Sequence, residues 1–205
     1  MFFALIQIVG VFALFLLTIP LQLFIALCVG ITSGFPIFYR QKRVGRLNKV
    51  FTLYKFRTMV VDAEKRKKDM LNQNESHGPV FKIHNDPRFT RLGKFLSHTG
   101  LDELPQLWNV LKGEMALMGP RPLPVEEARR LKPWMQKRHR ILPGIISPAI
   151  LAGKYHEDFD GWMRSDVQYA KQKNTITDTI LAYRSIFFLT RLFLLELGRR
   201  NRQAS

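Results

Sequence analysis

Asp102 and Glu103 stand side by side in the stretch TGLDELPQLWNVLKGEMALMGPRP, residues 99–122, and are the residues of this chain best placed to do chemistry. Neighbouring helical residues point about 100° apart, so the two carboxylates cannot do the same job at the same atom. The stretch closes on Gly119-Pro120-Arg121-Pro122, a stiff turn carrying one cation. Read alone, these residues also fit an ordinary helix start. Asp is a good N-cap, and Glu is favoured in the first turn, where unpaired N–H groups and the helix dipole favour negative charge. Pro105 fits that turn too, since its missing N–H costs little there. A capped amphipathic helix followed by a Pro-rich turn is the commoner meaning of such a pattern.

The elements around the pair follow from periodicity. Leu104, Leu107, Trp108 and Leu111 recur at helical spacing and predict one apolar face, ended by Gly113. Upstream, Ile37-Phe38-Tyr39 and Val50-Phe51-Thr52-Leu53-Tyr54 are short aromatic and β-branched runs parted by Gly45 and Asn48, and predict a hairpin. The chain leaves it through Lys55-Phe56-Arg57-Thr58-Met59, where Arg57 by itself reads as a solvated end-of-strand charge. Residues 62–77 are polar and predict a helix running into a loop. Asn85-Asp86-Pro87-Arg88 reads as a turn, and Phe89 to Ser97 as a short helix leading to the acidic pair. A charged helix is expected from about Pro124 to Arg140 with Trp134 inside it, then a loop or turn at Pro143-Gly144-Ile145-Ile146-Ser147-Pro148. The histidines (77, 84, 98, 139 and 156) show no metal-ligand spacing, and no Gly-rich phosphate loop, GxSxG elbow or zinc signature is present.

At 205 residues the chain holds one domain of ordinary size with room for a membrane segment. Its net charge of +16, from 32 basic and 16 acidic residues, calls for an anionic partner: nucleic acid, an anionic membrane surface or phosphorylated substrates. Helix-turn-helix, RNP and zinc-finger text are all missing, which argues against nucleic acid. The single cysteine, Cys28, rules out an internal disulfide. Residues 1–39 carry no charged side chain, and Phe2 to Ile31 are almost wholly apolar. A signal peptide is disfavoured, because the run is too long and lacks a basic flank. About 20 residues cross a bilayer, so by length alone the segment spans. Pro20 in its middle removes a helix hydrogen bond and bends the axis, which makes a re-entrant hairpin the competitor. Arg40, Lys42, Arg43, Arg46, Lys49, Lys55 and Arg57 precede the first acid, Asp62. Such a basic cluster stays cytoplasmic and binds anionic headgroups. Ile176 to Arg200 is rich in Phe and Leu but carries Asp178, Arg184, Arg191 and Glu196, so an interfacial helix fits better than a buried span. A structural membrane adaptor would share all this and need neither Asp102 nor Glu103.

The ordered motifs decide between these readings. Gln41-Lys42-Arg43-Val44-Gly45, Tyr54-Lys55-Phe56-Arg57-Thr58-Met59, Asp86-Pro87-Arg88-Phe89-Thr90-Arg91-Leu92-Gly93, Leu101-Asp102-Glu103-Leu104-Pro105-Gln106-Leu107, Asn109-Val110-Leu111-Lys112-Gly113, Gly119-Pro120-Arg121-Pro122 and Pro143-Gly144-Ile145 span about residues 36–146. In that order they resemble the bacterial monotopic phosphoglycosyl transferases, the polyprenyl-phosphate sugar-1-phosphate transferases. The resemblance implies transfer of a sugar-1-phosphate from a UDP-sugar to a polyprenyl phosphate, with Mg²⁺ and release of UMP, at the start of bacterial glycan assembly. It implies that Asp102 is the nucleophile of a phosphosugar–enzyme intermediate and that Glu103 is a metal ligand or assisting base, with both carboxylates as candidate Mg²⁺ ligands. Arg57 and Arg121 would clamp phosphate oxygens. Pro120, Arg43, Lys55 and Lys154 complete the expected substrate-binding set.

The implied fold is α+β and mostly helical. Residues 1–35 form a proline-broken re-entrant membrane helix, 36–175 a small cytoplasmic catalytic domain with a short β-hairpin, and 176–205 an amphipathic interfacial helix. The expected partners are a UDP-sugar, polyprenyl phosphate and membrane lipids, with no nucleic acid and with a homodimer open to it. The expected place is the cytoplasmic face of the bacterial inner membrane. Two departures stand out. Members often carry an arginine five residues before the catalytic aspartate, where this chain has Ser97 followed by His98. After Pro143-Gly144-Ile145 the usual text is replaced by Ile146 to Lys154, which alters expected sugar or nucleotide recognition and leaves Lys154 to stand in for an arginine.

Overall fold

The uncharged N-terminus forms a single helix, α1 (Phe2–Ser33), which runs through Pro20. The computed structural model describes residues 2–76, 78–152 and 158–204. Among these, α1 is the one helix long and apolar enough to cross a membrane, over Ile8–Ser33, and Leu17, Leu23 and Ile31 stand exposed along it. Thr18 lies two residues before Pro20 on the same helix. Its hydroxyl donates to the carbonyls of Leu14 and Phe15, at 2.9 and 3.0 Å, because a helical threonine reaches back three or four residues.

The predicted hairpin is present and longer than the aromatic runs suggested. β1 (Phe38–Val44) and β2 (Val50–Phe56) pair antiparallel, with Tyr39 opposite Lys55 and Phe38 opposite Phe56. The strands extend through charged text because alternate residues can face solvent. Phe56 turns inward and joins Ile25 and Val29 of α1 and Leu96 in one buried cluster, which seats the hairpin on α1.

A short α2 (Ala63–Asp69) lies in the polar segment. α3 (Arg91–Thr99) follows, capped by the Thr90 hydroxyl accepting from Gly93 N. Gly93 has to be glycine: a Cβ there would lie 1.9 Å from the Thr58 carbonyl oxygen. Gly100, left-handed at φ 75°, ends α3, and a 3-10 turn over Leu101–Glu103 leads to α4 (Gln106–Leu111). The N-cap reading of Asp102 is therefore corrected, since Asp102 makes no cap hydrogen bond and is buried in the turn. The apolar side chains of Leu101 and Leu104 pack on the α1 cluster and draw the turn inward. Trp108 also departs from expectation. Leu107 is buried, whereas Trp108 is 50% exposed and lies 6.1 Å from the Phe15 ring of α1.

The next differences lie beyond Met118. In place of one charged helix from Pro124 to Arg140 there are α5 (Val125–Ala128) and a 3-10 segment over Met135–Arg140. Pro133 lacks the N–H a continuous helix needs and pushes its predecessor out of the helical region. The Pro143–Pro148 loop contains β4 (Gly144–Ile146), paired parallel with β3 (Ala116–Met118). Gly119 and Gly144 allow these chains to touch, for a Cβ on Gly144 would sit 2.0 Å from Gly119 N. α6 (Pro148–Leu151) and α7 (Phe159–Gln172) close a second core around Leu123, Met135, Trp162 and Met163. α8 (Thr175–Ala204) crosses back to α3, where Phe193 meets Phe95 at 6.3 Å and Glu196 meets His98 at 3.2 Å. Its outer face exposes Ile180, Phe187 and Leu194.

Candidate active site

Asp102 is 4% exposed, carried on the 3-10 turn that Leu101 and Leu104 anchor beneath β2. Lys55, near the end of β2, brings its ammonium 3.7 Å from Asp102 Oδ2. That ammonium also lies over the Tyr39 ring, 5.4 Å from its centre. The Tyr39 hydroxyl donates to Glu64 Oε1 at 2.9 Å. Glu103 points elsewhere, and its Oε1 accepts from Arg121 Nη2 at 2.7 Å. Each carboxylate of the pair thus has its own cation, as expected of neighbours that diverge by about 100°. Burial pushes the Asp102 carboxyl up to about 6, with Lys55 opposing, Glu103 adding to the rise and Arg121 opposing. At neutral pH Asp102 is an anion stripped of most of its water.

The expected substrate-binding residues divide into groups. Lys55 and Arg121 are brought to the carboxylate pair. Arg43 reaches the same loop from behind, donating from Nη1 to the Pro122 carbonyl at 2.7 Å. Pro120 is buried and its carbonyl accepts from Gly144 N at 3.0 Å. Arg57 is occupied elsewhere. It is 5% exposed, and its Nη2 donates to the carbonyls of Ser33 and Gly34, the latter at 2.6 Å, at the C-terminal end of α1. A cation there satisfies helix carbonyls left without partners. The Nε and Nη1 of Arg57 are buried with no hydrogen-bond partner among the described residues. Lys154 lies outside the described residues.

Several residues that frame the site were given no role by the sequence, Asn109 within a quoted motif and the others outside any. Asn109, fully buried, donates from Nδ2 to Thr52 O and Glu114 Oε2, both at 2.7 Å, and accepts from Tyr54 N at 3.2 Å. It thereby ties α4 to β2, one residue before Lys55. Arg138 and Asp166 form a fully buried pair at 2.6 Å, and Arg138 Nη2 also donates to the Arg121 carbonyl at 2.5 Å. His139 meets Asn48 Oδ1 at 2.6 Å. Burial and then the nearby Arg138 charge push its imidazole down to about 4, so it is neutral. A run such as MQKRHR gives no hint that Arg138 and His139 join Met135 in facing inward.

No group of three or more His, Cys, Asp or Glu side chains comes together among the described residues. What the chain can offer a cation is the two carboxylates of Asp102 and Glu103. That donor set fits Mg²⁺, which takes one or two protein carboxylates and completes its shell with phosphate oxygens and water.

The whole arrangement can be set against known proteins. A family model described as bacterial sugar transferase matches residues 1–191. Galactosyl transferase CpsE of Streptococcus agalactiae is 43% identical over 147 residues, 71% of this chain and 33% of that protein. Undecaprenyl-phosphate galactose phosphotransferase of Salmonella typhimurium is 35% identical over 161 residues, 75% of this chain and 33% of that one. An Aeromonas hydrophila protein named as an undecaprenyl-phosphate N-acetylgalactosaminephosphotransferase is 35% identical over 173 residues, 82% of this chain and 38% of its own length. The chain therefore spans about a third of the length of these relatives. The aligned motifs and the match over nearly the entire chain lead to one assignment: this protein belongs to the bacterial sugar transferase family.

Proposed function

We propose that this protein transfers a sugar-1-phosphate from a UDP-sugar to a polyprenyl phosphate and releases UMP, with Asp102 as the nucleophile. The observation that carries the reading is the buried Asp102 carboxylate beside Lys55, with Arg121 and Glu103 next to it. The relatives' names supply the chemical class, and undecaprenyl phosphate is the polyprenyl phosphate they name.

In the first half-reaction an Asp102 oxygen attacks the sugar-bound phosphorus. The bond to the bridging oxygen breaks, and UMP leaves with that electron pair. Poor solvation makes the Asp102 anion reactive, since little water has to be removed before attack. Lys55 and Arg121, now matched to the carboxylates, are the cations that incoming phosphate oxygens would engage, Arg121 in the two-pronged manner of a guanidinium. In the second half-reaction an oxygen of the lipid phosphate attacks the same phosphorus and frees the Asp102 carboxylate. Mg²⁺ would be held by Asp102, Glu103 and the diphosphate, and when bound it supplies the charge neutralisation that lets an anion approach an anion.

The proposed organisation keeps the three segments: residues 1–35 in the membrane as a re-entrant hairpin bent at Pro20, 36–175 as the catalytic domain, and 176–205 as an interfacial helix on the cytoplasmic face. Support comes from the exposed apolar surface of α1, the apolar outer face of α8, and the basic cluster that follows α1. With Trp108 against Phe15, the turn carrying Asp102 stands beside α1, where a soluble nucleotide sugar can meet a lipid phosphate.

The test is UMP release from a panel of UDP-sugars with undecaprenyl phosphate present. Asp102→Asn should be silent, and wild type incubated with UDP-sugar alone should gain the mass of one phosphosugar. Normal turnover with no adduct would replace the covalent route by direct transfer. Excess EDTA should stop turnover and Mg²⁺ restore it. Undiminished activity in chelator would remove the metal from the scheme.

A further inference from the structure

We propose that Arg138 and Asp166 are positioning residues, whose buried pair holds the peptide of Arg121 so that its guanidinium stays on Glu103. This inference rests on the functional reading above.

The loop carrying Arg121 is poorly equipped to hold itself. Pro120 and Pro122 have no N–H, so across residues 120–122 the backbone offers a single donor. The three carbonyls of the same residues are each held from outside. Gly144 N donates to Pro120 O at 3.0 Å, Arg138 Nη2 to Arg121 O at 2.5 Å, and Arg43 Nη1 to Pro122 O at 2.7 Å. The middle bond is made on the peptide of the residue whose side chain reaches Glu103. Rotation of that peptide would swing the guanidinium away from its partner.

Arg138 can serve as this donor only because its own charge is matched. Its Nη2 also donates to Asp166 Oδ2 at 2.6 Å, and Ser147 Oγ donates to Asp166 Oδ1 at 3.4 Å. Asp166 comes from α7 and Ser147 immediately precedes α6, so the second core reaches the site through one guanidinium. Stability alone does not account for the pair. Buried ion pairs are often replaced by apolar side chains with no loss, and this one leaves Arg138 Nε and Nη1 buried with no hydrogen-bond partner among the described residues. A core needing only to be stable would gain by filling the space with methionine and leucine. What apolar residues cannot supply is the donor to the Arg121 carbonyl.

The test is a double-mutant cycle on the full chain in detergent, read by UMP release from UDP-sugar with undecaprenyl phosphate. Arg138→Met combined with Asp166→Leu should leave the melting temperature unchanged or higher and lower turnover by about tenfold or more, the scale of a misplaced binding group. In an Arg121→Ala background the same exchange should change the residual rate by less than about twofold, because the group it positions is gone. A merely structural role would lower both backgrounds by one common factor, and that result overturns the proposal. So does full turnover of the exchanged protein. Should the exchanged pair fail to fold, Asp166→Asn enters the same cycle under the same criterion. Wild-type turnover and its loss in Asp102→Asn test the functional reading separately, so additivity in the cycle falls on the positioning alone.

Discussion

His139 gives a prediction whose size can be worked from the structure. The imidazole is 8% exposed, its Nδ1 meets Asn48, and burial together with the Arg138 charge lowers it from its ordinary 6.5 to about 4. The folded chain therefore refuses a proton that the unfolded chain accepts. Stability is untouched above pH 6.5, falls as pH drops below it, and levels off near pH 4. Each pH unit in that window costs about 1.4 kcal/mol, so the whole amounts to about 3 kcal/mol. For a chain of this length that is roughly 6–12 °C in melting temperature. Asp102 works in the opposite sense, because its raised carboxyl takes up a proton in the folded state first and adds stability as pH falls from about 6. The measurement must therefore be a difference. Melting curves of wild type and His139→Asn in detergent, from pH 7 to pH 4, isolate the histidine, since asparagine can keep the bond to Asn48 without titrating. Wild type should lose roughly 6–12 °C more than the variant across the window. Parallel curves would show that His139 is not held neutral and would refute the reasoning.

Gly93→Ala should yield no folded protein, because its Cβ would lie 1.9 Å from a backbone oxygen that cannot move aside; recovery of a monodisperse protein would contradict the close approach of α3 and Thr58. Arg57→Ala should destabilise by about 3 kcal/mol through loss of two charge-assisted bonds to the end of α1, and a melting temperature equal to wild type would return Arg57 to a purely substrate-facing role. For the proposed hairpin, Phe2→Cys in a Cys28→Ser background should resist an impermeant thiol reagent in cells with permeabilised outer membranes. Adding Pro20→Leu should expose it, whereas labelling with Pro20 in place would mean that α1 spans.

What could be read in advance depended on how local its cause was. The hairpin, α1, α3 and α8 announce themselves through composition and period, and the carboxylate pair with Arg121 through motif order. The parallel pairing of β3 with β4 depends on glycines 119 and 144 meeting across a long sequence separation, and no local pattern carries that. Arg138 and Asp166 are farther still from legibility, because a buried ion pair looks like surface text until both ends are placed. The N-cap alternative for Asp102 fails for a related reason. Its hydrophobic neighbours Leu101 and Leu104 set the direction of the turn, overriding the side chain's own preference. Arg57 shows the reverse, a motif residue that resemblance sends to the phosphates while the α1 carbonyls already claim it.

Asn109 fixes one further property of the site. A neutral amide, with no access to solvent, ties α4 to β2 next to the residue that reaches Asp102, Lys55. The scaffold's dimensions do not depend on the attraction between the charges mounted on it. Under the proposed function, a phosphate that took Lys55 from Asp102, or conversion of the carboxylate to an acyl phosphate, would leave the Asn109 bonds in place. Salt that screens the ion pair should leave the spacing as it was. The charges are thus fittings on a separately held frame, and the proposed two-step exchange would pass through anionic, covalent and again anionic states of Asp102 without refitting it.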